Sequence, residues 1–196
     1  SSYDWMINET DWRYAVLTGS RASGKSIAAI DLCLYYATNA TIEILFVREL
    51  QASIEKSSKA ELENRIKFFQ LDDIFKITDT YIECTKTGSV ISFVGINHNV
   101  TSIKSRSNVS LVFVEQAETL SAESIDVLLP TIRREDSIFI ICFNPRLVTD
   151  LVYQKFIVEQ PPGTRVCHTT YMDNVFCPQV MIDLAEDCKV KDPTKY

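Results

Sequence analysis

Eight consecutive residues, Gly19-Ser20-Arg21-Ala22-Ser23-Gly24-Lys25-Ser26, set two glycines around a short polar loop and follow the second with a lysine and a hydroxyl. Each residue type has a chemical use at that spacing. The glycines let the backbone turn its N–H groups toward a single point. A helix starting at Lys25 adds the positive end of its dipole. The result is a cradle for phosphate oxygens, the G-x-x-x-x-G-K-[ST] pattern. In such a loop Lys25 is expected to reach the β- and γ-phosphates of ATP, and Ser26 to bind Mg2+. Arg21 lies inside the loop, where backbone geometry puts it over the phosphates, and is expected to touch the γ-phosphate; otherwise it is a surface arginine.

Such a site needs a second acid at the end of a buried strand. Leu111-Val112-Phe113-Val114 is an apolar run that ends on Glu115, the expected second Mg2+ ligand. Hydrolysis further needs a group that orients or deprotonates water. The adjacent position holds Gln116, whose amide can orient water but is a poor base. Glu118, two residues on, substitutes as base if the loop bends; otherwise it is an exposed loop acid. Cys142-Phe143-Asn144-Pro145 closes a further apolar run. There Asn144 is either a sensor of the γ-phosphate or a turn-forming residue. Lys104-Ser105-Arg106 is a short basic loop ahead of the Glu115 strand. It can serve a neighbouring subunit as an arginine finger, contact DNA phosphate, or be merely solvated.

The elements that must position these groups alternate between two periodicities. Strands are expected at Tyr14 to Thr18, Ile42 to Val47, Leu111 to Val114, Ser137 to Phe143 and Arg165 to Thr170. Helices are expected at Lys25 to Thr38, Gln51 to Phe69, from the Ser121 N-cap onward, Asp150 to Val158 and Pro178 to Lys189. In the second of these, Ile54, Leu62, Ile66 and Phe69 form an apolar stripe. Its other face carries Glu55/Lys59 and Glu63/Lys67 in the favourable i,i+4 order. Pro130 should kink or end the Ser121 helix. Phe75-Ile77, Tyr81-Cys84 and Val90-Val94 are separated by turn-like residues and predict a small antiparallel extension. The alternation predicts a three-layer α/β domain around a mostly parallel sheet.

The chain has 196 residues, 46% hydrophobic and 23% charged, which suits one globular domain over residues 1–196. Residues 1–10 are expected to be a tag remnant and an N-terminal arm. No apolar run approaches the roughly 20 residues of a membrane helix, so no membrane partner is expected. A net charge of -6 argues against a basic nucleic-acid coat, without excluding a local DNA contact. The six cysteines are scattered and expected to be free thiols, with Cys33, Cys142 and Cys167 inside apolar runs. The two histidines, His98 and His168, have no ligand-like spacing.

Several motifs in order give the chain a resemblance to a known family. They are G-S-R-A-S-G-K-S at Gly19 to Ser26, L-F-V-R-E-L-Q-A-S-I at Leu45 to Ile54, I-K-S at Ile103 to Ser105, V-E-Q-A-E at Val114 to Glu118, L-L-P-T-I-R at Leu128 to Arg133 and F-N-P-R at Phe143 to Arg146. The chain resembles the ATPase domain of a tailed-phage terminase large subunit, a DNA-packaging motor, from about Tyr14 to Tyr196. The resemblance implies a P-loop NTPase of the strand-inserted (ASCE) type that uses ATP and Mg2+. Its partners would be double-stranded DNA, a portal protein and a small terminase subunit. It would form a homo-oligomeric ring on the capsid, be monomeric in isolation, and work in the host cell cytoplasm. Arg21, Lys25 and Ser26 would act on the phosphates, Glu115 on Mg2+, and Cys142 to Asn144 would couple hydrolysis to movement. The family usually has Glu-Glu where this chain has Glu115-Gln116, either a natural variant of a subgroup or an introduced substitution. The family's nuclease domain would begin where this chain stops, so no nuclease activity is expected.

Other classes are open to the same loop. A nucleotide-binding switch with weak turnover is favoured by Gln116. A helicase-like ATPase shares the same physics. A small-molecule kinase would need an arginine-rich lid and a substrate pocket, and the sequence suggests neither.

Overall fold

A computed structural model describes residues 2–9, 11–51, 54–97, 103, 106 and 108–191. Its strands are β1 (Tyr14–Gly19), β2 (Glu43–Arg48), β3 (Phe75–Ile77), β4 (Tyr81–Cys84), β5 (Ser89–Gly95), β6 (Leu111–Glu115), β7 (Ile138–Phe143) and β8 (Thr164–Thr169). They form one sheet in the order β3-β4-β5-β2-β6-β7-β1-β8. From β5 to β8 all neighbours run parallel. β4 is antiparallel to both β5 and β3, the expected small extension. β7 lies between the strand that ends in Gly19 and the strand that ends in Glu115. This is the inserted-strand order.

The central strands β1, β2, β6 and β7 are buried on both faces, so alternate residues feed two cores. Leu17, Phe46, Phe113 and Ile140 pack on one side with Ile30 and Leu34 of α2 (Lys25–Asn39) and Leu62 and Ile66 of α3 (Ala60–Phe68). Val16, Leu45, Val112 and Ile141 pack on the other with Ile125 and Leu128 of α4 (Ala122–Thr131). Burying each such side chain stabilises the fold by about 1.5–3 kcal/mol before entropy is charged. The layers are therefore helix, sheet, helix. A short N-terminal helix, α1 (Trp5–Asn8), lies against this body: Met6 is buried, and the Tyr3 hydroxyl meets Thr169 Oγ1 at 2.9 Å across from β8.

Two helices differ from expectation, while the Pro130 helix ends as expected. The segment expected as one helix from Gln51 to Phe69 begins with a π-helical turn, Ile54–Lys59, before α3; Ala52 and Ser53 lie outside the described residues. Ile54, Leu62 and Ile66 are buried as the stripe required, but Phe69 is exposed. The helix ends at Phe68, and Gln70 adopts φ 56, which turns the chain away from the core. Phe68 and Phe69 instead stack edge to face under the Arg65 guanidinium, which also pairs with Asp31 at 2.6 Å. Across the solvated face Lys59 pairs with Glu63 at 3.7 Å, and the Glu55 side chain lies outside the described residues. The helix expected at Asp150 to Val158 is one α-turn, α5 (Leu151–Tyr153), continuing as a π-helical turn, Gln154–Glu159. The helix with Pro130 stops one residue after it, and Ser121 Oγ caps it by accepting from Ser124 N–H at 3.1 Å.

Candidate active site

The site forms where the parallel strands end. Gly19 closes β1, Arg48 closes β2, Glu115 closes β6 and Phe143 closes β7, so the loops leaving them open on one end of the sheet. Ligands of open α/β sheets bind at this carboxyl end, beside the point where strand order reverses. A cavity of about 460 Å³ lies there. It is lined by the loop from Ser20 to Ser26 and by Glu115, Gln116, Glu118, Asn144 and Arg146, among others.

The loop's shape follows from its glycines. Gly19 has φ 143, and a Cβ built there would stand 1.7 Å from the carbonyl oxygen of Thr169 on β8. No side chain fits. Gly24 adopts φ 84 as it leads into α2. Ala22 takes φ 60 without being glycine, a strain of on the order of 1–3 kcal/mol that surrounding contacts must hold. No side chain caps the N-terminus of α2 and no acid stands in its first turn. Its N–H groups and its dipole are therefore available to an anion.

Lys25 is buried at this helix start, and its ammonium sits among three oxygen acceptors. Nζ donates to Ser20 O at 2.7 Å, to Ser23 Oγ at 2.9 Å and to Asn144 Oδ1 at 3.0 Å. Burial pushes its pKa down, while the Glu118 carboxylate pulls it back up. The Cys142 thiol lies beneath, directed at Lys25 O at 3.9 Å. Burial foremost, with Glu115 adding, pushes that thiol well above the usual cysteine range, so it remains neutral. Asn144 thus stands between the two key strands, as expected, and reaches Lys25. Its own N–H donates to Glu118 Oε2 at 3.4 Å. Glu118 is therefore turned into the site and is not an exposed loop acid.

Glu115 is tied from below. Arg48 donates to its Oε2 from Nε at 3.0 Å and from NH2 at 2.8 Å, and the Ser58 hydroxyl donates to the same oxygen. Gln116 follows with φ 53 and ψ 45, left-handed for a non-glycine residue, and is exposed at the cavity wall. Arg21 is exposed and lines the same cavity, as does Ser26. Arg106 lies elsewhere: it pairs with Glu43 at 3.6 Å, at the start of β2. That is the opposite end of the sheet, roughly 17–20 Å from the site by strand rise. Lys104 and Ser105 lie outside the described residues, as does His98; His168 is exposed on β8.

Arg48, Ser58, Arg146 and Asn174 escape the sequence reading. Arg48 carried a usable signal, since an arginine ending an apolar run parallels Glu115. Ser58 and Asn174 carried none, because only the fold brings them to the loop. The Arg48–Glu115 pair is largely buried, with side chains 8% and 13% exposed. Removing one partner of such a pair leaves an uncompensated charge and costs about 3–5 kcal/mol. Arg48→Ala is therefore expected to lower unfolding stability by about 3 kcal/mol in urea, and Arg48→Lys by clearly less. Equal stability of Arg48→Ala and the unchanged chain would show the pair to be idle.

The fold is a three-layer P-loop NTPase fold of the strand-inserted type. The profile of the phage terminase large subunit family matches residues 11–196, and the chain belongs to that family. The large subunit of the terminase of Bacillus phage SPP1 is 26% identical over an alignment of 198 positions that covers 92% of this chain and 46% of that protein. The chain thus spans about half the length of that relative. The large terminase of a thermophilic bacteriophage, solved with ADP, superposes with a TM-score of 0.73 at 12% identity, over 94% of this chain and 48% of that one. The ATPase domain of the Thermus phage P74-26 large terminase gives 0.64 at 9% identity, over 96% and 86%. At such identities the structural likeness speaks for the fold alone.

Proposed function

We propose that this chain is the ATPase domain of a terminase large subunit, coupling ATP hydrolysis to movement of double-stranded DNA into a procapsid. One observation carries the reading: Lys25 and Asn144 meet at a glycine-shaped loop, with Glu115, Gln116 and Glu118 on the wall of the same cavity. The SPP1 relative is a terminase large subunit, and the thermophilic-phage protein was solved with ADP and with ATP-γ-S. Both support ATP as the ligand here.

In this reading the free N–H groups of the loop and of α2 bind the phosphates. Lys25 exchanges Ser20 O and Ser23 Oγ for β- and γ-oxygens, and Arg21 swings over the γ-phosphate. Asn144, bonded to Lys25, registers that exchange and passes it to β7. Ser26 and Glu115 present hydroxyl and carboxylate oxygens to the cavity, the donor type that Mg2+ takes. Bound Mg2+ would neutralise charge on the phosphate oxygens. Gln116 orients the attacking water through its amide without accepting its proton, and Glu118, a carboxylate on the same cavity wall, is the candidate base. A ring of copies on a portal, with a small terminase subunit, would meet DNA in the host cytoplasm. Among the described residues no helix is long and apolar enough to cross a membrane.

Gln116 supports a second reading, a nucleotide-binding module with little turnover. DNA separates the two. A motor domain carrying Gln116→Glu hydrolyses ATP faster when linear double-stranded DNA is added, and the increment falls as salt rises. Hydrolysis indifferent to DNA at low salt would favour the module.

A further inference from the structure

Beyond β8 the chain folds back over the phosphate loop. Thr170 and Asp173 close a reciprocal cap: Thr170 N–H donates to Asp173 Oδ2 at 2.7 Å, and Asp173 N–H donates to the Thr170 hydroxyl. This fixes the single turn Tyr171–Asp173. Tyr171 is buried, and its hydroxyl donates to Glu186 Oε1 at 2.5 Å, anchoring the turn to α6 (Gln179–Lys191).

Two contacts then cross from the turn to the loop. Tyr171 N–H donates to Ser20 Oγ at 2.9 Å. Asn174 Nδ2 donates to Ala22 O at 2.8 Å. The amide's orientation is set by its other end, where Asn174 Oδ1 accepts from Phe176 N–H at 3.0 Å. The bonded carbonyl belongs to the residue at φ 60, the strained point of the loop. Asn174 also lines the cavity and stands 3.6 Å from where a Cβ on Gly24 would lie.

We infer that Asn174 is a positioning residue for nucleotide binding: it holds the crest of the phosphate loop in its binding shape. The physical reason is the planar trans peptide. Fixing the Ala22 carbonyl fixes the N–H of Ser23, which points the opposite way from the same peptide unit. One donor of the cradle is thereby aimed before any phosphate arrives. Without the bond, Ala22 is free to relax toward φ below zero and the N–H swings with it. Ser20, held by Tyr171, steadies the loop's other flank.

The inference rests on the reading of this cavity as an ATP site, and its test distinguishes the two. Binding of a fluorescent ATP analogue is measured for the unchanged chain, for Asn174→Ala and for Asn174→Ser, whose hydroxyl is too short to reach Ala22 O. Both variants are expected to bind about tenfold more weakly, the loss of one net hydrogen bond. The melting temperature should stay within a few degrees. In a Gln116→Glu background, KM for ATP should rise about tenfold while kcat at saturation changes less than twofold. A structural role alone would lower the melting temperature and the active fraction while leaving the dissociation constant of the folded protein unchanged. Unchanged affinity in either folded variant overturns the inference. Failure of the unchanged chain to bind overturns the ATP reading itself.

Discussion

Gln116→Glu is expected to raise steady-state ATP hydrolysis by about 10²–10⁴-fold, the usual contribution of a positioned general base. The substitution adds no bulk, and the backbone at position 116 is already held at φ 53, ψ 45 by the turn Ala117–Thr119. A carboxylate there would face the cavity from the place the amide now occupies. It would accept a proton from water where the amide only orients it. ATP affinity should change little, because position 116 lies on the wall and not in the phosphate loop. Phosphate release measured at saturating ATP reads the effect. If the unchanged chain already turns over rapidly and loses that activity on Glu118→Ala, the base is Glu118. Its carboxylate at 3.4 Å from Asn144 N–H makes that arrangement geometrically open.

Lys25→Ala is expected to weaken ATP binding by about 10²-fold, the worth of a charge-assisted hydrogen bond to phosphate. Nζ is already desolvated and held among three acceptors, so little ordering remains to be done when phosphate displaces two of them. Truncation removes the one ammonium at the start of α2 and leaves Asn144 Oδ1 without this donor. The fold should survive, because the side chain borders a solvent-open cavity and the surrounding oxygens can turn to water. Circular dichroism and a binding titration separate a lost site from a lost fold. Undiminished binding by a folded Lys25→Ala chain would remove the basis for the site.

Gln116 and Lys25 belong to parts of the site that were unequally legible in the sequence. The loop Gly19 to Ser26 was fully readable because its chemistry is local: the spacing of glycines, lysine and serine is itself the geometry. Glu115, Gln116 and Asn144 were readable as ends of apolar runs, and the inserted β7 brought them to the loop as expected. Glu118 was readable only as an alternative, since its direction depends on the bend after Gln116. Arg48, Ser58 and Asn174 depend on long-range packing. Nothing adjacent to Asn174 announces a contact with Ala22 on the far side of the chain. Arg106, close to Glu115 in sequence, pairs with Glu43 at the other end of the sheet, a placement that sequence proximity does not reveal. The helices were found, but their π-turns at Ile54–Lys59 and Gln154–Glu159 were not. Apolar periodicity reports which face is buried and says little about a single extra residue in a turn.

The proposed function depends most directly on whether the unchanged chain holds ATP at this cavity. A calorimetric titration of ATP into the chain, with Mg2+ present, measures it. One saturable site per chain is predicted, competed by ADP and weakened about 10²-fold by Lys25→Ala. No saturable binding, or binding indifferent to Lys25, would contradict it.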